Sequence, residues 1–85
     1  MNKPSPATVR AFHAIRHAAA TTTNGKVYSN LLTLAFYLHN GETSPGRVEV
    51  YALKVHAHID SEAYRDMMAA LDAASHDLHN VAVSA

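Results

Sequence analysis

Three interruptions divide this chain into four stretches, each about the length of a helix. Thr21-Thr22-Thr23-Asn24-Gly25 separates the first stretch from the second, Asn40-Gly41 to Ser44-Pro45 the second from the third, and Asp60-Ser61 the third from the fourth. β-Branched threonines and an Asn-Gly pair both disfavour helix continuation. A Ser-Pro pair instead starts a helix: serine caps it and proline fits its first position, where the missing N–H costs nothing. The same pair, Ser5-Pro6, opens the first stretch.

Apolar residues within the stretches recur at the helical period. In the first, Pro6 to Ala20, Phe12, Ile15 and Ala19 form a narrow stripe, with Arg10, His13 and His17 on the other side and Arg16 flanking them. In the second, Lys26 to His39, Val27, Leu31, Leu34, Ala35 and Leu38 share one face, and Asn40-Gly41 suits a left-handed C-terminal cap. The third carries Val48, Tyr51, Ala52, Val55 and Ile59 on one side and a second apolar stripe, Val50, Leu53 and Ala57, opposite. A helix there needs cover on two sides. The fourth runs from Asp60-Ser61 to about His79, with Tyr64, Met67, Met68, Leu71, Ala74 and Leu78 on one face. Asp60 or Ser61 caps it, Glu62 sits where the helix dipole favours negative charge, and Asn80 is expected to end it, leaving residues 80–85 as a frayed tail.

These patterns predict an all-α fold, a compact bundle of about four helices in a single domain over residues 1–85. Sixteen alanines against three glycines point the same way. The competing expectation is an α+β fold, α-β-β-α, in which Lys26–His39 and Arg47–Ile59 form a central β-hairpin. In that case Glu49, Tyr51, Leu53, Val55, Ala57 and Ile59 share a face by alternation. Either core is modest, because a chain this short buries only about 60% of its unfolded surface. A hydrophobic content of 48% argues against disorder. With no cysteine, disulfides and thiolate zinc sites are excluded. The longest apolar run, Leu34 to Leu38, is far short of the roughly 20 residues that span a bilayer, and the N-terminal residues lack the apolar segment of a secretory signal. A cytoplasmic protein is the expectation, with no membrane association.

Charge is distributed unevenly. All seven carboxylates lie after Gly41; the first 41 residues carry Lys3, Arg10, Arg16 and Lys26 with none. Such asymmetry suits an anionic partner for the basic half, or two halves that attract each other within or between chains. Seven histidines equal the acids in number, so net charge moves by several units near pH 6.5, where unperturbed histidine titrates. If several of them lie at an interface, association loosens as the pH falls.

Four kinds of chemistry could use these residues. His13 and His17, four apart on one helix face, are the weak candidates for metal ligation, and no metal or other cofactor is expected without a third converging donor. The second and third stretches resemble a helix-turn-helix in outline, which makes Arg47 and Lys54 the nucleic-acid candidates. Glu49 and Asp60 offset them, and phosphate neutralisation dominates DNA affinity. No phosphate loop, HExxH or GxSxG is present, so an enzyme is not expected. Protein–protein contact fits best: the basic side Arg10, His13, Arg16 and His17, the acidic side Glu62, Asp66 and Asp77, and the apolar stripe Val50, Leu53 and Ala57 are the candidate partner-binding residues. Complementary helices of this kind can join within a monomer or across a symmetric homodimer. The expected function is a small non-enzymatic regulator, adaptor or inhibitor that binds another protein. By size alone, it is of the sort that phages and mobile elements encode.

Overall fold

The computed structural model describes the backbone of residues 4–84 and the side chains of residues 4–78. It contains four α-helices: α1 Pro6–Ala20, α2 Gly25–His39, α3 Pro45–Val55 and α4 Ser61–Ser84. A single 3-10 turn, His56–His58, joins α3 to α4. No strand occurs among the described residues, so the hairpin expected as the alternative for residues 26–59 does not form. The capping chemistry explains the choice. Ser44 Oγ accepts the Arg47 N–H at 3.3 Å with Pro45 in the first turn, an arrangement that commits the segment to helix before its alternating pattern can matter.

The other starts are built alike. Ser5 Oγ accepts the Thr8 N–H at 3.2 Å, Asn24 Oδ1 the Val27 N–H at 3.1 Å, and Asp60 Oδ2 the N–H groups of Glu62 and Ala63 at 3.1 and 3.2 Å. α2 thus begins at Gly25, one residue earlier than expected, because Asn24 serves as its cap. Its other end closes as a Schellman motif: the Gly41 N–H donates to Leu38 O at 3.1 Å and the Glu42 N–H to Tyr37 O at 2.8 Å, with Gly41 at φ +75°.

Two ends depart from expectation. α3 stops at Val55, where the chain tightens into the 3-10 turn, so the helical period does not reach Ile59. α4 continues past Asn80 to Ser84. Asparagine stops a helix when it turns left-handed, and no residue other than glycine does so among the described residues. The expected frayed tail, residues 80–85, is described in its backbone as helix as far as Ser84, with its side chains outside the described residues.

The helices run alternately up and down. Pro4, Ser5 and Thr8 share a cleft with His39, Ser44 and Asp77, which brings the starts of α1 and α3 to the same end as the finish of α2 and the later turns of α4. At the opposite end Thr21, the C-cap of α1, meets Asp60, the N-cap of α4. α1 packs most extensively on α4 and α2, and α3 packs on α4 and less on α2. α1 and α3 therefore stand diagonally across the bundle.

The core is thin. Half of the sixteen buried apolar residues among those described are alanines: Ala7, Ala11, Ala18, Ala19, Ala35, Ala52, Ala63 and Ala74. Alanine lets helices approach closely but removes little surface from water, so Ile15, Leu31, Val48, Met67 and Leu71, all fully buried, carry most of the hydrophobic stabilisation. Phe12, expected in the core stripe of α1, is only half-buried, and Leu78 is 49% exposed where the other helices end.

Candidate partner-binding surface

Arg10, His13, Arg16 and His17 all lie exposed on the outer side of α1, and Lys26 is exposed at the start of α2. α2 packs against one flank of α1 and the carboxylate-bearing α4 against the other, so this basic surface borders the acidic helix. Aromatic groups lie between α1 and α2. The Phe12 ring sits 4.7 Å from the His39 ring of α2, inclined at 50°. The His13 ring meets it edge-on at 5.3 Å, and the Arg16 guanidinium carbon lies 5.6 Å from its centroid. Such a cation over an aromatic face is held by the ring quadrupole, which orients Arg16 along the surface.

Phe12, His13 and Arg16 lie within five residues, so that part of the cluster is local in the sequence, but the contact with His39 is not. Phe12 and His39 are distant in the chain and meet only because α1 and α2 pack antiparallel. One turn before His39, Phe36 is 59% exposed, and Tyr28, two turns before Phe36 on the same stripe, is 44% exposed. Exposed aromatics beside Arg16 form a surface suited to a partner that offers both anionic and apolar groups.

The acidic candidates are placed differently. Glu62 and Asp66 are exposed on α4, while Asp77 is half-buried in the cleft. Although α1 and α4 pack together as complementary helices, no ion pair within 4 Å joins them among the described residues. The pair that does form there is Asp72–His76 within α4, at 3.7 Å. Arg10, Arg16, Glu62 and Asp66 are all exposed, so both charged faces are turned to solvent. Arg65 and His76 interrupt the acidic side, so it is the weaker field.

The apolar stripe is exposed, as its placement opposite the core face of α3 requires. Val50 is 57% and Leu53 54% exposed, with Ala57 exposed in the 3-10 turn. Arg47 and Lys54 flank it, and Glu49 is half-buried on the other side. A helix whose outer centre is valine and leucine presents little to a phosphate backbone, so α3 has poor surface chemistry for a DNA-reading helix. His13 and His17 share a face on α1, and no group of three potential metal ligands converges among the described residues.

The cleft at the α1/α3 start has a volume of about 690 Å³. Ser5, Thr8, His39, Arg47 and Asp77 line it, together with Thr43, whose hydroxyl is buried with no hydrogen-bond partner among the described residues. His39 belongs both to this cleft and to the aromatic cluster. No helix among the described residues is long and apolar enough to cross a membrane. Compared with protein-family models, curated proteins and solved structures, the chain matches none.

Proposed function

We propose that this chain is a small non-enzymatic binding module, a regulator, adaptor or inhibitor, that docks on an acidic protein surface through the α1–α2 face. The observation that carries the reading is the cluster of Phe12, His13, Arg16 and His39 on the α1–α2 face, with Phe36 exposed one turn before His39 on α2. Charge on such a face speeds encounter and fixes orientation, while a desolvated aromatic centre supplies most of the affinity. Phe36, exposed and rigid, is the anchor; Arg10 and Arg16 steer. The mechanism is steric occupation of the partner's surface. The reading places the chain in the cytoplasm, among the small regulators that phages and mobile elements encode.

The test is capture from source-organism lysate on the immobilised chain, with and without nuclease. Wild type retains a near-stoichiometric protein after nuclease, and the double variant Arg10→Glu/Arg16→Glu loses it. Retention unchanged in that variant would move the site off α1. Capture of nucleic acid alone would reassign the same cationic face to a nucleic-acid-binding regulator.

A further inference from the structure

The exposed stripe on α3 lies diagonally across the bundle from α1, and its flanking charges identify what covers it. Val48, Ala52 and Val55 bind α3 to the core, so the helix cannot rotate to bury Val50 and Leu53. Gly46, Val50 and Leu53 are exposed on α3 with the spacing of four and three of the seam in a two-stranded helical pair, and Ala57 follows, exposed, in the 3-10 turn. Ordinary surface leucines are scattered; these form a line.

The flanks settle the direction of pairing. Glu49 borders the seam on one side, and Arg47 and Lys54 border it on the other. When two copies of a helix pair antiparallel, each flank meets its own counterpart. Arg47 would then face Lys54 of the second copy, twice. When they pair in parallel, opposite flanks meet, and a residue on one reaches the residue five positions later on the other. Glu49 then reaches Lys54 of the second copy, again twice by symmetry. The parallel arrangement makes the Glu49–Lys54 contacts and avoids the Arg47–Lys54 repulsion, whereas the antiparallel one keeps that repulsion and offers Glu49 only His56, seven residues on along the same flank.

We infer that two copies of this chain associate through α3, packed in parallel about a twofold axis, with Val50 and Leu53 in the seam and Glu49–Lys54 pairs closing both sides. The seam extends little more than two turns, so the interface belongs to the small class and the dimer dissociates in the micromolar range or above. Because α1 lies diagonally opposite, both α1–α2 faces stay free in the dimer. The inference therefore stands or falls independently of the proposed partner.

Sedimentation equilibrium on the full chain from micromolar to several hundred micromolar, at low salt, tests it. Wild type shifts from monomer to dimer across that range, and Leu53→Asp remains monomeric with an unchanged thermal melt. Glu49→Lys or Lys54→Glu alone raises the dissociation constant at least tenfold, and the two together restore it. A wild type that is monomeric throughout would overturn the proposal, and so would a double variant as weak as the singles.

Orientation has its own probe, since the chain has no cysteine of its own. A parallel twofold places residue 50 against residue 50 of the second copy, so Val50→Cys oxidises rapidly to a covalent dimer while a control Arg10→Cys does not. Equal rates for the two variants would rule out the parallel seam.

Discussion

The hydroxyl of Thr21 accepts a hydrogen bond from the backbone N–H of Asp60 at 2.9 Å and donates its own proton to Ala18 O at 2.7 Å. One side chain thus closes the last turn of α1 and fixes the start of α4, 39 residues away. The line continues through Asp60, whose carboxylate caps the first turn of α4.

Thr21→Val keeps the shape of the side chain and removes both bonds. It should lower unfolding stability by about 1 kcal/mol, the usual net value of partly exposed hydrogen bonds. Thr21→Ser should retain most of that. Urea titrations giving the same midpoint for both variants would show that the hydroxyl contributes nothing.

Gly41 offers a test of pure backbone strain. Its φ is +75°, and a Cβ added there meets nothing within 4 Å. Gly41→Ala should therefore cost about 1–2 kcal/mol from the left-handed conformation alone, and Gly41→Asn less. A midpoint unaffected by alanine would mean that the α2–α3 turn relaxes to another conformation.

Leu71 and Ile15 are fully buried in a core that is half alanine. Truncating either to alanine should cost about 2–5 kcal/mol, against a total of about 4–13 kcal/mol for a domain of this length. The expected outcome is a melting transition lowered by about 8–40 °C, read by far-ultraviolet circular dichroism. A shift of only a few degrees would mean that the surrounding helices close over the cavity.

Phe36 and Phe12 separate binding from folding. Phe36 is 59% exposed, so Phe36→Ser should change stability by no more than about 0.5 kcal/mol while reducing partner capture. Phe12 is half-buried against His39, so Phe12→Ala should destabilise the α1–α2 contact measurably in the same denaturation assay. Equal thermal melts for the two variants would contradict this division.

Where caps and spacing carry the signal, the sequence is legible. α1 has the bounds that Ser5-Pro6 and the threonine run imply, and the stripe of Val50, Leu53 and Ala57 is exposed because nothing in so short a chain can cover it. Alanine hides much of the rest. Ala7, Ala11, Ala18 and Ala63 are buried, yet alanine is tolerated on either side of a helix and adds little to a periodic pattern. The hairpin alternative is compatible with the sequence because α3 is apolar on two sides, which mimics alternation. The Phe12–His39 contact leaves no local trace at all; it depends on the register of two packed helices, and no spacing within either one encodes it.

The antiparallel packing of α1 on α4 has a consequence for how the chain is made. α1 finds half of its supporting wall only when α4 has emerged from the ribosome. Until then Ile15 and its alanine neighbours are covered on the α2 side alone, and Thr21 waits for the amide of Asp60. A nascent chain ending at the 3-10 turn is thus a set of helices without a closed core. The core therefore closes only once α4 has been made, and whatever holds the exposed segments until then helps decide how much of the domain is recovered.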